Sequence, residues 1–241
     1  MIFSRKYPVR ILVIGTGGTG GYVVPSLYRF VWSLDQPRLV EIILTDGDSV
    51  EGRNLVRQNF VEDDVGRNKA EVLAHRYAGA FGIRAVYIPG YIEDDDRLFS
   101  MFSDRDVPEA INIIIGAVDN NCSRQMCHRV FNRLQNIIYI DSGNGEHTGQ
   151  VVCGIRKKGR TKLKLVAKIY PEMLEENDLF KSQEGCGQAV VTSPQSMAAN
   201  IMAATIILLF LNNILAEGRL GIHSATFSTQ SINVKPKFIG K

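Results

Sequence analysis

The run Gly15-Thr16-Gly17-Gly18-Thr19-Gly20-Gly21 follows directly on the apolar stretch Arg10-Ile11-Leu12-Val13-Ile14. A short apolar run that stops at glycine reads as a buried parallel strand. Glycines after it allow a tight turn and let backbone N–H groups approach a phosphate. A helix is expected from about Gly20 to Trp32, with the positive end of its dipole aimed at the turn. Together these features point to a nucleotide. A glycine-rich turn that only packs a helix against a strand would read the same, so the motif needs support from elsewhere in the chain.

The pattern repeats through the first half. Glu41–Thr45, Val86–Ile88, Ile111–Ile115 and Ile137–Ile140 read as further strands. Between them, Leu73, Tyr77, Ala80 and Phe81 share a helical face, and Cys127, Val130, Phe131 and Leu134 recur at helical spacing. Alternating strands and helices predict an α/β fold: a doubly wound, mostly parallel, Rossmann-like sheet. The second half continues it with antiparallel strands at Gln150–Arg156 and Leu163–Ile169, a polar loop at Glu172–Gln188, an apolar helix at Ser193–Leu215 and a final strand within Ala225–Val234. No linker divides the chain. It is expected to be one domain over residues 1–241, with a nucleotide-binding half at 1–145 and, at 146–241, the antiparallel strands, a cysteine loop and the apolar helix.

Hydrophobic residues make up 45% of the chain, enough for a sizeable core. The net charge of +3, with both signs mixed along the chain, gives no argument for nucleic acid, and none is expected as a partner. The apolar run Ile201–Leu211 is shorter than the roughly 20 residues that a bilayer span needs, so no membrane is expected. No pair of cysteines is spaced C-x-x-C, and zinc is not expected. The N-terminus carries no signal-peptide pattern, so the four thiols are expected reduced, in a cytoplasm.

The second strand ends at Asp46, a place where a carboxylate accepts hydrogen bonds from ribose hydroxyls. Up to this point an NAD(P)-dependent oxidoreductase fits equally well. The stretch from Asp46 to Lys69 separates the two readings. It places Asn54, Arg57 and Lys69 where they could clamp a triphosphate from its phosphate side, a need that hydride transfer does not have. This stretch resembles the ThiF/MoeB/HesA family, whose hallmark is a strand ending in D-x-D, then a valine, then N-L-x-R-Q, then G-x-x-K. Here these are Asp46-Gly47-Asp48, Val50, Asn54-Leu55-Val56-Arg57-Gln58 and Gly66-Arg67-Asn68-Lys69. The resemblance continues at Gly116-Ala117-Val118-Asp119-Asn120, followed by Arg124.

The resemblance implies an adenylyltransferase that uses ATP and Mg²⁺ to activate the C-terminal carboxylate of a small ubiquitin-like or sulfur-carrier protein. Gly15, Gly17, Gly18 and Gly20 would form the phosphate loop and Asp46 would hold the ribose. Asn54, Arg57 and Lys69 would contact the triphosphate, with Gln58 in support. Asp119 would bind Mg²⁺, or else cap the next helix; Asp48 would assist the metal or cap a turn. Cys186, in Glu184-Gly185-Cys186-Gly187, resembles the thiol to which some members transfer the acyl group, and as bare sequence is also an inert loop cysteine. The family also implies a homodimer through the apolar helix. Its N-terminal helix, which carries an arginine into the partner's site, has no counterpart among the fourteen residues before Gly15, so a non-catalytic nucleotide- or partner-binding module of the same fold stands as an alternative.

Overall fold

The computed structural model describes residues 3–34, 40–102, 110–174, 180 and 195–240. Five strands form its parallel half: β1 (Val9–Ile14), β2 (Val40–Thr45), β3 (Ala85–Ile88), β4 (Ile111–Gly116) and β5 (Ile137–Asn144). They lie in the order β3-β2-β1-β4-β5, all parallel. The sheet then turns antiparallel through β6 (Thr148–Lys157), β8 (Ile222–Ser228) and β9 (Asn233–Phe238), while β7 (Arg160–Leu163) pairs with β6 alone.

Both faces of the parallel half are apolar because its strands carry consecutive apolar residues, odd and even, after the polar Arg10, Glu41 and Asn112 near the starts of β1, β2 and β4. Ile11 and Val13 of β1, Ile113 and Ile115 of β4, and Ile138 and Ile140 of β5 enter one core. That core is closed by α1 (Gly18–Trp32), α2 (Lys69–Phe81) and α5 (Met197–Leu211). Leu12, Ile14, Ile114 and Tyr139 point the other way, against α3 (Asp95–Ser100) and α4 (Asn121–Arg133). The glycine turn therefore falls at the carboxyl end of β1, between β2 and β4, where the winding of the sheet reverses and open α/β sheets bind ligands.

The C-terminal half differs in detail from its sequence pattern. The second antiparallel strand is Arg160–Leu163, and Val166–Lys168 forms a 3₁₀ turn instead of continuing it. Ala225–Val234 spans a hairpin: β8 and β9 lie on either side of its turn. The apolar helix runs on through a π turn at Asn212–Ala216, which brings the apolar run to 20 residues. Length no longer separates it from a membrane span. Packing does: Ala199, Ala203, Ile207, Phe210 and Leu211 are buried against α1 and the sheet.

One feature ties the segment after β2 to the phosphate-side helix. Pro25 lies inside α1 and has no N–H to give to the carbonyl of Gly21. Asn59 fills the gap: its Nδ2 donates to Gly21 O at 3.0 Å and to Tyr77 Oη at 3.2 Å. Asn59→Ala should therefore lower unfolding free energy by about 1–3 kcal/mol, the cost of leaving a half-buried carbonyl without a donor. In Pro25→Ala, which restores the helical N–H, the same change should cost less; urea denaturation of the double-mutant cycle measures the difference.

Candidate active site

Gly15 has φ +85°, and a side-chain carbon there would meet Ala117 O at 2.7 Å. A Cβ at Gly20 would collide with the carbonyl oxygen of Gly15 itself. The chain can turn this sharply and enter a helix only without side chains at these positions. Gly17 caps α1 without any side-chain hydrogen bond, and the first turn of the helix carries no acid. Among the described residues no acid sits in that turn, and the positive end of a helix favours an anion.

Asp46 secures the turn from the β2 side. Its Oδ2 accepts from Thr16 N at 2.7 Å and from Thr16 Oγ1 at 3.2 Å, while Oδ1 accepts from Asp48 N at 2.9 Å. Its carboxylate is therefore already part of the turn's hydrogen bonding, beyond any contact to ribose. Burial lifts its pKa above the ordinary carboxylate value, Lys69 opposes that rise, and Asp48 adds to it. Lys69 is the first residue of α2 and is 5% exposed. A buried cation at the positive end of a helix violates local preference, and such violations gather at functional sites. Its Nζ lies 2.9 Å from Asp48 Oδ2, and Tyr91 donates its hydroxyl to the other oxygen of Asp48 with its ring against Gly47. Asp48 is thus a partner for Lys69 and Tyr91.

Arg57 approaches from the opposite side. Its Nη1 lies 3.4 Å from Gln195 Oε1, the atom that a Cβ on Gly18 would meet at 3.0 Å. Gln58 lies buried against Gly17, and its Oε1 has no hydrogen-bond partner among the described residues. Asn54 is spent largely on local structure: its Oδ1 accepts from Glu51 N at 2.9 Å and its carbonyl from Gln58 N at 2.8 Å. That turn presents Arg57 and Gln58 toward the glycines.

Asp119 follows β4 at the third side, next to Ala117 and Val118, which touch Gly15. It is exposed. Helix α4 is capped by Asn120, the residue after Asp119, whose Oδ1 accepts from Ser123 N at 2.8 Å. Arg124 braces this loop, donating through Nη2 to Val118 O at 3.0 Å and Ser142 O at 3.1 Å beside the buried Asp141. Among the described residues no group of three His, Cys, Asp or Glu could hold a metal by itself. Mg²⁺ needs no such cage: one or two carboxylates and the phosphates of a bound nucleotide serve it, and Asp119 fits that part.

Sequence reasoning missed the contribution of α5. Asn200, fully buried, presents Nδ2 toward Gly18 without a partner among the described residues. Its Oδ1 accepts from Asn144 Nδ2 at 2.9 Å and lies 3.4 Å from Thr19 Oγ1. Met197-Ala198-Ala199-Asn200-Ile201-Met202-Ala203-Ala204 was the available signal: an amide set in an otherwise apolar helix. Cys186 lies outside the described residues. Cys127 and Cys153 are core residues; burial pushes the Cys127 thiol up to about 12 and the Cys153 thiol well above its ordinary value. Cys122 is half-buried.

The Asp46–Asp48–Lys69 arrangement has a consequence for stability. Burial raises the folded-state pKa of Asp46, so the stability this group contributes is present at low pH and lost as pH rises through that pKa. Lys69 limits the loss. Lys69→Ala should therefore destabilise the protein little near pH 4 and progressively more toward pH 8, and adding Asp48→Asn should recover part of the deficit. Thermal unfolding across that range measures it; a pH-independent difference would contradict the assignment.

The ThiF family model matches residues 7–238. The SUMO-activating enzyme subunit uba-2 of Caenorhabditis elegans is 32% identical over 156 residues, 62% of this chain and 24% of that protein. Among solved structures, PaaA superposes with a TM-score of 0.66 at 17% identity, covering 98% of this chain and 66% of that one. E. coli MccB solved with ATP gives 0.63 at 21% identity, over 97% of this chain and 64% of that one. The microcin C7 biosynthetic enzyme MccB in complex with N-formylated MccA gives 0.66 at 22% identity, over 97% and 65%. The chain thus spans about a quarter of the curated relative and just under two thirds of these neighbours. The structural likenesses establish the shared fold, and the family match runs through nearly the whole sequence: the chain belongs to the ThiF family.

Proposed function

We propose that this protein is an adenylyltransferase that activates the C-terminal carboxylate of a small ubiquitin-like or sulfur-carrier protein with ATP. The observation that carries the reading is the convergence of Lys69 and Arg57 on one glycine turn, the first through Asp48 and Asp46, the second through Gln195. The carboxylate oxygen would attack the α-phosphorus of ATP, and the bond to the departing pyrophosphate would break. A carboxylate is ionised at pH 7 and needs no general base. It needs placement in line and relief of the phosphate charge, which the uncapped end of α1, Arg57 and Lys69 supply. Mg²⁺ held by Asp119 would neutralise the phosphates further. The Mg²⁺-dependent exchange of pyrophosphate into ATP, with a carrier ending in a free glycine, tests this. Arg57→Ala and Lys69→Ala should each lower exchange about 100-fold or more with the fold retained. Normal exchange in both would overturn the reading, and ATP binding with no exchange would favour the non-catalytic alternative.

Two extensions follow. In the first, the Cys186 thiolate attacks the acyl carbon of the adenylate and AMP leaves, so Cys186→Ala should keep exchange and lose the thiol-sensitive acyl-enzyme on a non-reducing gel. In the second, two copies pair through α5. Met197, Ile201 and Leu209 form an exposed apolar stripe along that helix, beside the groove lined by Tyr22, Pro25 and Tyr77. A self-complementary stripe suits a two-fold interface. Ile201→Asp with Leu209→Asp should then sediment as a monomer under conditions where the parent chain is a dimer; equal masses would rule this interface out.

A further inference from the structure

Seven of the chain's 28 lysines and arginines lie between Arg156 and Lys168, and none of its 25 acids lies between His147 and Pro171. The remaining 21 cations face 25 acids, so the modest net charge conceals a concentrated basic segment. This segment is the β6–β7 hairpin with the turn that follows it. Lys157, Lys158, Arg160, Lys162, Lys164 and Lys168 are all exposed, and among the described residues none forms an ion pair with a carboxylate.

The hairpin is built as a platform. Alternation along β7 puts Arg160 and Lys162 on one face, with Leu163 buried on the other. Lys157 pairs directly opposite Arg160. Like charges set across a strand pair are destabilising, so folding alone gives no reason for this pair. The turn is fixed to the body of the protein: Lys158 N donates to Asn136 Oδ1 at 3.0 Å and Gly159 N to Gln135 O at 3.0 Å. Lys158 itself takes φ +50°. The positive field extends to α4, where burial first and then Lys168 and Arg129 lower the pKa of His128.

The location separates this surface from the nucleotide site. Lys157 follows Arg156, which pairs with Ile137 at the start of β5, whereas the glycine turn lies beyond the far ends of the parallel strands. The surface also lacks what a protein partner would ask for. No large apolar side chain is exposed from Arg156 to Met173, whereas protein interfaces are anchored by buried aromatic and aliphatic groups. Nucleic-acid interfaces are polar and strongly positive. We infer that the β6–β7 hairpin docks the phosphate backbone of duplex nucleic acid, independently of base sequence and of the adenylation site.

The test is fluorescence anisotropy of the full chain with a labelled mixed-sequence DNA duplex of about 30 base pairs, titrated from about 50 to about 200 mM NaCl. Contact with about five phosphates predicts a slope of log K on log salt of about −4 to −5. Lys162→Ala with Lys164→Ala should reduce the slope by about 2 and weaken binding at low salt. These side chains are exposed, so an unchanged melting temperature should accompany the loss. Arg29→Ala with Arg84→Ala removes the same charge, both exposed, beside β3 at the other edge of the sheet, and should leave the slope intact. Absence of binding near 50 mM salt, or equal losses in both double variants, would overturn the proposal. Displacement of the duplex by polyglutamate at matched charge would also overturn it, in favour of an acidic protein. Because none of these readouts involves exchange, failure here leaves the adenylation reading untouched, and the reverse.

Discussion

An unneutralised helix end organises this molecule. The N-terminus of α1 has no capping side chain and no acid in its first turn. Exposed helix termini leave several backbone N–H groups without partners, which is tolerable only where something else supplies an acceptor. The surrounding residues hold this end in place without satisfying it. Asp46 takes the Thr16 N–H just before the helix, and Asn59 takes the Gly21 carbonyl that Pro25 abandons. The segment from Asp46 to Lys69 is consequently bound to the turn at its start and at its middle. Its cations are placed by the same contacts that stabilise the fold.

Much of this was legible in the sequence because it rests on local chemistry. Glycines after an apolar strand have few structural uses, and the consecutive apolar runs Ile11–Ile14 of β1 and Ile113–Ile115 of β4 require cover on both faces. The order of the parallel strands was not legible, because the same alternation fits more than one doubly wound arrangement. The antiparallel half was less legible. Leu163–Ile169 looks like a strand because its residues are apolar at the right spacing, yet Leu165, Val166 and Ala167 are buried by a 3₁₀ turn under α4. Burial of a short run does not determine its backbone conformation.

The contribution of α5 was hidden for a different reason. Gln195 and Asn200 lie more than a hundred residues from the glycine turn that they touch. No spacing rule connects residues so far apart; only the packing of α5 on α1 does. An amide in an apolar helix was a sign of some buried partner, but which one depends on the crossing of two helices. The finding changes how the site is divided. The helix read as core or interface, with Gln195 just before it, brings two amides to the phosphate side of the turn, one of them with a buried donor that no described residue accepts.

The same limit applies to charge. A net value averages over position, whereas an approaching polyanion responds to the charges within about a Debye length, roughly 10 Å at moderate salt. Around the β6–β7 turn the local sequence supplies cations alone, while Asp95 and Asp96 of α3 are paired with Arg129 and Arg133. Two charges that cancel in composition do not cancel in space when the sheet holds them apart. The rigidity of the hairpin matters for the same reason: a turn pinned by Gln135 and Asn136 keeps its like charges close together, where a free loop would let them separate. The fold thus maintains an arrangement that electrostatics alone would disperse, and a ligand of opposite charge would relieve it.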